Sequence, residues 1–142
     1  VALTEFDELH PKHRALRDLL ESRGLIVSWL SAAEHDRYMA YVQALAHFVL
    51  LGFAATLGKA GVQPSEILKL RTPNFQFLYA FASRVLKLST TTTGAIQTTQ
   101  DAARIRESVI ATLIEMNEAF RQAGTAQECA KVIERLRSPL AQ

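Results

Sequence analysis

Hydrophobic and polar positions follow two different patterns along the chain, and the first occupies residues 1–30. Two short apolar runs, residues 1–6 and 25–30, flank a segment with a single apolar stripe. The runs predict buried strands and the stripe predicts a helix, which has Pro11 near its first turn and Gly24 just past its end. Together they predict one β-α-β unit with parallel strands. Because two strands alone are marginal in water, and because the sequence opens without a methionine, we expect this unit to be the end of a larger sheet.

The second pattern is helical throughout and occupies residues 31–142. Ser31 and Glu34 have the spacing of a capping box at the start of a long helix. The β-branched and polar stretch at residues 89–94 predicts an interruption among the later helices. Apolar residues at helical spacing predict those helices over residues 64–70, 73–88, 105–120 and 125–136. The predicted fold class is therefore mainly α, an all-helical domain after a short N-terminal β-α-β unit.

Residues 38–57 are almost continuously apolar, which raises the question of what surrounds them. The run is long enough to span a membrane, but Gln43, His47 and Thr56 would then need partners in lipid, and no second comparable segment exists. A helix that is apolar nearly all round is more simply buried by protein on every side. In so small a domain, that burial predicts a homodimer with interleaved helices and no membrane partner.

Composition limits the classes of function. The 16 basic and 14 acidic residues are scattered along the chain, so the net charge of +2 gives no reason to expect nucleic acid as a partner. The single cysteine, Cys129, has no second thiol for a disulfide or a metal site, which favours a reducing cytoplasm. The sequence also lacks a basic, apolar, cleavable leader, so we do not expect secretion.

Two histidines lie twelve positions apart on the predicted long helix. In a regular α-helix, His35 and His47 are separated by about 18 Å along the axis and by roughly 120° in direction, so they cannot share a metal ion. Gln43 lies four residues before His47, in a direction between those of the two histidines, and the three side chains could line one edge of a cleft. The alternative is that His47 is a core histidine bonded to a neighbouring group and that His35 is merely exposed.

Arg84 lies on the apolar stripe of its own helix, three residues after Phe81 and four before Leu88. A guanidinium on an apolar face needs an anion, and its planar fork suits a carboxylate held by two hydrogen bonds. The alternatives are an internal salt bridge to a glutamate and a side chain that extends past the apolar surface into water. The cluster that includes Arg104 and Arg106 is interpreted as an ordinary solvated face.

Complete catalytic and cofactor-binding motifs are absent from the sequence. It contains no glycine-rich dinucleotide or phosphate loop, no cysteine pair at zinc spacing, no histidines at i and i+4 around a glutamate, and no serine nucleophile elbow. We therefore assign no catalytic, cofactor-binding or metal-binding residue within this chain, and the predicted chemistry is substrate binding.

Residues 30–48 closely resemble the start of the helical domain of prephenate dehydrogenases. That family has E-H-D followed by Q-A-L-x-H-F, and this chain has Glu34-His35-Asp36 followed by Gln43-Ala44-Leu45-Ala46-His47-Phe48. The resemblance continues through Thr72-Pro73, Ser83-Arg84-Val85-Leu86 and Ile96-Gln97. It becomes weak beyond about residue 110. The β-α-β unit is similar to the end of the family's Rossmann-type nucleotide-binding domain, so residues 1–30 and 31–142 are predicted to belong to two domains.

The resemblance implies an oxidative decarboxylation of prephenate in tyrosine biosynthesis, in which NAD or NADP accepts the hydride. It implies that the helical domain dimerises and forms much of the substrate pocket, where Arg84 binds a prephenate carboxylate and His47 lines the wall. His35 and Gln43 would complete or position that wall. The cofactor and the catalytic histidine would belong mainly to a region before residue 1, so we expect the chain alone to be inactive.

The family pattern is broken at residues 89–95, where many members have an acidic and aromatic stretch and this chain has serine, threonine, glycine and alanine. Arogenate could therefore replace prephenate as substrate. The resemblance also implies that L-tyrosine could act as a feedback inhibitor near His47. The alternative function is a non-catalytic helical module for dimerisation or for sensing tyrosine or prephenate. The sequence upstream of residue 1 distinguishes the two functions, because only the enzyme needs a G-x-G-x-x-G loop.

Overall fold

The computed structural model describes residues 1–61 and 63–137, which form a two-stranded sheet and seven helices. The strands are β1 (Ala2–Thr4) and β2 (Ser28–Leu30), and the helices are α1 (Pro11–Ser22), α2 (Ala32–Lys59), α3 (Pro64–Ile67), α4 (Pro73–Leu86), α5 (Thr90–Gln97), α6 (Gln100–Gln122) and α7 (Ala126–Arg137). A 3-10 turn over Leu68–Leu70 extends α3. The predicted class, mainly α with an N-terminal β-α-β unit, is confirmed.

The N-terminal unit has the predicted order but shorter strands. β1 pairs with β2 in parallel, with Leu3 opposite Trp29. Gly24 follows α1 with a φ of 75°, a left-handed conformation that glycine adopts at little cost. Ile26 is 84% exposed, so the apolar run at residues 25–30 is not a buried strand over its whole length. Ile26 lies before Ser28–Leu30, the part of this run that pairs with β1.

α2 is the axis of the helical domain and begins with the predicted capping box. The Ser31 hydroxyl accepts a hydrogen bond from the Glu34 backbone N–H at 3.2 Å, and the Glu34 carboxylate accepts one from the Ser31 N–H at 2.9 Å. Between two α-helical halves, Ala40–Leu45 winds as a π-helix, which no feature of the sequence predicts. Bonding from i to i+5 takes about one more residue per turn, so this segment rotates His47 by roughly 100° relative to His35. Across this segment the angle between the histidines becomes roughly 20°, and the predicted angle of roughly 120° holds only for a regular α-helix.

The helices pack around α2 through small residues. The half of α2 over Ala46–Lys59 packs against α4, and the π-helical segment packs against α5 and α6. The buried residues at these contacts are Ala40, Ala44, Ala82, Val85 and Ala102. Small side chains let helix axes approach closely. Among the described residues no large side chain is fully buried, so one chain forms only a thin core.

Residues 89–94 begin a helix and are not the predicted interruption. Ser89 caps α5 by accepting a hydrogen bond from the Thr92 backbone N–H at 3.3 Å. Threonine has a modest helix propensity because its branched side chain loses rotational freedom against the preceding turn. Gln97, at the other end of α5, donates a hydrogen bond to the carbonyl oxygen of Ala44 in α2 at 2.9 Å. The cap and this tertiary contact outweigh the local propensity of the threonines.

α2 is long enough and apolar enough to cross a membrane, judged by length and composition alone. The buried helix of a soluble protein meets the same two criteria, so they are weak evidence for a membrane. Within the single chain, much of this helix is open to solvent, and Val42 is 65% exposed. The helix was predicted to be buried by protein on every side, and a single chain does not provide that burial.

Candidate functional site

Arg84 and His47 lie in the same cleft, between α4 and the second half of α2. The cleft has a volume of about 200 Å³. We call it the Arg84 cleft, and it is lined by Val42, Ala46, His47, Leu50, Phe81, Arg84, Val85 and Leu88. Every lining residue except Arg84 and His47 is apolar. The structure therefore combines one cation and one imidazole with an apolar surface.

Arg84 projects from the last turn of α4. Phe81 and Leu88 line the same cleft, as the predicted stripe on this helix requires. In the part of the chain that the structure describes, no carboxylate forms an ion pair with Arg84, and the residue is exposed. The alternative of an internal salt bridge is therefore wrong for a single chain. The exposure of Arg84 agrees with the other alternative, a side chain that extends past the apolar surface into water, where it can meet an anion from outside.

His47 is half-buried, and its Nδ1 atom is buried without a hydrogen-bond partner in residues 1–61 and 63–137. Leaving a buried polar atom unsatisfied costs about 1–3 kcal/mol, so such atoms usually bond to water, to a ligand or to another chain. In the alternative interpretation His47 is a core histidine that is hydrogen-bonded to a neighbouring group, and Nδ1 has no such bond within the described residues. His47 and Arg84 are thus the two polar residues that line one cleft, and the exposed Arg84 side chain is accessible to a molecule there.

His35 and Gln43 lie in a second cleft, of about 240 Å³, between the first half of α2 and α5. We call it the Gln43 cleft, and its other lining residues are Asp36, Met39, Ala40, Ala95, Ile96 and Thr99. The Nδ1 atom of His35 is 3.2 Å from Oδ1 of Asp36, and the His35 side chain is partly exposed. The predicted single wall of His35, Gln43 and His47 is therefore divided between two clefts.

Glu34 precedes His35 in the first turn of α2. Hydrogen bonds from the Ser31 backbone N–H and, second, from the Ser31 hydroxyl hold the pKa of this carboxyl below its usual value, and Arg37 adds a smaller attraction. A negative charge is also favourable at this position because the N-terminal end of a helix carries a positive partial charge. Glu34 therefore fixes the start of the helix that carries both histidines.

Two polar residues that join three helices were not predicted to have a role. Gln97 bonds to Ala44 of α2, and Arg106 of α6 donates through Nη1 to the backbone oxygen of Gln97 at 2.6 Å and to its Oε1 at 3.1 Å. The prediction of a solvated face is correct for Arg104, which is exposed and pairs with Asp101, but wrong for Arg106, which is half-buried. Sequence spacing could not identify Arg106, because its role depends on the tertiary contact of Gln97.

Metal chemistry has no candidate site in the described part of the chain. No group of three or more histidine, cysteine, aspartate or glutamate side chains converges there. The arrangement can hold an anionic organic molecule by charge, hydrogen bonding and apolar contact.

A model of the family described as "Prephenate dehydrogenase, dimerization domain" matches residues 31–137. The chain belongs to this family. The match begins at the capping residue of α2 and includes α7, so the resemblance extends further than residue 110, where it was predicted to become weak. Family membership confirms the resemblance seen in the sequence.

The chain is also similar to two known proteins. The T-protein of Enterobacter agglomerans is 34% identical over 56 residues, which are 39% of this chain and 15% of the T-protein. The crystal structure of Synechocystis arogenate dehydrogenase is similar with a TM-score of 0.63 and 20% identity, over 99% of this chain and 50% of that one. This structural likeness shows the fold alone. The chain thus covers half or less of the length of each relative.

The domain boundary after residue 30 and the assignment of Arg84, His47, His35 and Gln43 to a substrate pocket stay predictions. Their positions favour the assignment for Arg84 and His47, which share a cleft, more than for His35 and Gln43.

Proposed function

We propose that this chain is the dimerising and substrate-holding C-terminal part of a dehydrogenase that oxidises and decarboxylates prephenate or arogenate in tyrosine biosynthesis. The observation that carries the proposal is the Arg84 cleft, in which an exposed arginine and a half-buried histidine line an otherwise apolar surface, in a member of this family. Both substrates combine carboxylate groups with a six-membered carbon ring. Arg84 can bind a carboxylate, and the apolar lining of the cleft can contact the ring.

In this proposal Arg84 binds a substrate carboxylate through two parallel hydrogen bonds, and the apolar residues of the cleft contact the ring. His47 contacts the same molecule as part of the cleft wall. Gln43 and His35 position the substrate from the Gln43 cleft. These residues bind and orient the substrate, and we assign none of them to the chemical step.

The nicotinamide cofactor, NAD or NADP, accepts the hydride when it is bound. This chain has no glycine-rich dinucleotide loop, so its residues do not fit the pyrophosphate of such a cofactor. We therefore assign cofactor binding to a nucleotide-binding domain whose last β-α-β unit is β1, α1 and β2.

The proposed assembly is a homodimer with interleaved helices. The chain exposes 10995 Å² to solvent. A compact chain of 15.8 kDa exposes roughly 7300 Å². The excess of roughly 3700 Å² on one chain is larger than the roughly 1000–2500 Å² that each partner contributes to most obligate interfaces, so it leaves room for a second copy and for further cover of the two-stranded sheet. Phe77 on α4 and Ile114 on α6 are each 63% exposed, which supports burial of these faces by another protein surface. The description of the family as a dimerization domain supports a second copy.

Two further properties belong to the proposal. L-tyrosine is a candidate inhibitor, because it has a carboxylate and a six-membered ring and would compete for the same groups. A cytoplasmic location is supported by the single cysteine, Cys129, which has no partner for a disulfide within the chain.

The test uses the full-length protein that contains this chain. It is incubated with prephenate or arogenate and with NAD or NADP, while the absorbance of the reduced nicotinamide and the released carbon dioxide are measured. We expect equal amounts of both products with at least one of the four combinations. A folded dimer that binds tyrosine or prephenate in a calorimetric titration, but gives no product with any combination, would support the sensing module instead.

A further inference from the structure

The π-helical segment Ala40–Leu45 of α2 lies between the two candidate clefts. Gln43, within the segment, lines the Gln43 cleft, and His47, two residues past it, lines the Arg84 cleft. Isolated π-helical turns are rare and occur frequently at functional sites. The contacts that stabilise this turn therefore bear on the direction of both side chains.

One side-chain hydrogen bond connects the segment to Gln97 at the end of α5, and two more connect Gln97 to Arg106 of α6. Nε2 of Gln97 donates to the carbonyl oxygen of Ala44 at 2.9 Å, across 53 positions of the sequence. Nη1 of Arg106 donates to the backbone oxygen of Gln97 at 2.6 Å and to its Oε1 at 3.1 Å. All three bonds are partly buried, so the loss of one partner leaves a polar group away from water.

The charge of Arg106 fixes the orientation of the Gln97 amide. A guanidinium has only donors, so the amide must present Oε1 to it, and Nε2 is then directed at Ala44. A glutamate at position 97 would keep the acceptor for Arg106 but would place a second acceptor against the Ala44 carbonyl. The bond to α2 therefore requires an amide at this position.

The same bonds hold together the two walls of the Gln43 cleft. Ala95 and Ile96, directly before Gln97, form one wall, and Ala40 and Gln43 form the other. Gln97 sets the distance between the walls because it is attached to both elements. Arg106 attaches the α5 wall to α6 in turn.

We propose that Gln97 and Arg106 are positioning residues, which hold the π-helical segment and thereby set the directions of Gln43 and His47 in the substrate site. Neither residue lines either cleft. Return of the segment to α-helical winding would turn the half of α2 that carries His47 by roughly 100° relative to the half that carries His35. The inference rests on the proposed function, since it concerns the alignment of that substrate site.

The experiment compares Gln97→Met, Gln97→Glu, Arg106→Met and Arg106→Lys in the full-length protein. Arg104→Met is the matched control, because Arg104 lies on the same helix, is exposed and, within residues 1–61 and 63–137, forms its ion pair with Asp101 alone. Two quantities are measured for each variant. They are the KM values for the substrate and for the nicotinamide cofactor, and the rate of amide hydrogen exchange in a peptide that covers residues 40–50.

We expect Gln97→Met, Gln97→Glu and Arg106→Met to raise the substrate KM on the order of tenfold, because small displacements of binding groups have large effects. The cofactor KM should change by less than about twofold, since the cofactor site is assigned to another domain. Exchange over residues 40–50 should become faster. Arg106→Lys keeps a donor and should show a smaller rise in substrate KM, and Arg104→Met should change neither quantity.

Faster exchange with an unchanged substrate KM would overturn the positioning role and leave a purely structural contact. Unchanged exchange in the Gln97 variants would overturn the claim that the bond holds the π-helical segment. If a methionine variant does not fold, the substrate KM and the exchange rate of Arg106→Lys test the positioning role instead. A wild-type protein without dehydrogenase activity would contradict the proposed function, and the Kd for prephenate would then replace the KM in this comparison.

Discussion

The unsatisfied Nδ1 atom of His47 leads to a prediction at the residue scale. Replacing a buried, unpaired polar group by an apolar one of similar size removes a desolvation cost, so His47→Leu should leave the free energy of unfolding unchanged or higher. The same change should weaken prephenate binding, because the cleft loses its hydrogen-bonding nitrogen. Thermal unfolding and calorimetric titration of the full-length protein measure the two effects.

His13→Leu is the control for this prediction. Nδ1 of His13 accepts a hydrogen bond from the Asp7 backbone N–H at 3.0 Å, so its loss should destabilise by about 0.5–1.5 kcal/mol without changing substrate affinity. Destabilisation of His47→Leu by more than that amount, with normal binding, would show that His47 is a structural core residue.

The residues of the Arg84 cleft could be predicted from the sequence because their relation is local. Arg84 follows Phe81 and precedes Leu88 on one helix, and helical periodicity alone gives their common face. Arg106 could not be distinguished from Arg104 in the same way. Its two acceptors are on Gln97, whose orientation depends in turn on Ala44, and that contact exists only in the folded chain.

At the scale of an element, the cap of α2 predicts a dependence of stability on pH. Hydrogen bonds from Ser31 lower the pKa of Glu34 below its ordinary value of 4.5. A carboxyl with a lowered pKa stabilises the folded state above the unfolded pKa, and the stabilisation is lost as the pH falls through the folded pKa. The wild type should therefore be more stable than Glu34→Gln at pH 7, and the difference should shrink below about pH 4.5.

Urea unfolding between pH 7 and pH 3 measures this difference. Glu107→Gln is the control, because Glu107 is exposed and forms no ion pair within residues 1–61 and 63–137. Its stability relative to wild type should not show the same loss in acid. A difference between wild type and Glu34→Gln that is equal at pH 3 and pH 7 would contradict the role of the ionised cap.

Helix starts could be predicted well because their signals lie within four residues. Ser31, Thr72 and Thr125 each accept a hydrogen bond from the backbone N–H three positions later, as their spacing indicates. The helix over Thr90–Gln97 and the π-helical segment could not be predicted, because both are held by the bond between Gln97 and Ala44. Local helix propensity gives no information about a contact between residues that are 53 positions apart in the sequence.

At the scale of the whole molecule, the exposed apolar faces predict that a charge on them disrupts the homodimer. Phe77→Asp places a carboxylate on a face that we expect the assembly to bury, which is costly for an unpaired charge. Light scattering should show a mass that falls toward that of the monomer on dilution, or a loss of soluble protein because one chain has little core. Gln76→Asp, on the exposed neighbouring position, should remain a dimer. A Phe77→Asp protein with the mass and Tm of the wild type would contradict the proposed interface.

The fold class could be predicted from the hydrophobic pattern along the whole chain, whereas the second copy expected from the apolar character of residues 38–57 stays a prediction. The division of the candidate site into two clefts could not, because it depends on which helix packs against each half of α2, α4 at the Arg84 cleft and α5 at the Gln43 cleft.

The central claim is that the Arg84 cleft binds a substrate carboxylate, and the affinity of an Arg84→Met variant tests it most directly. Loss of charge-assisted hydrogen bonds worth about 1.5–3 kcal/mol should raise the KM for prephenate or arogenate roughly 10- to 100-fold. The KM for NAD or NADP should stay within about twofold, and Arg104→Met should resemble the wild type in both. Saturation kinetics of the full-length protein with each ligand gives these values. An Arg84→Met enzyme with the substrate KM of the wild type would contradict the account.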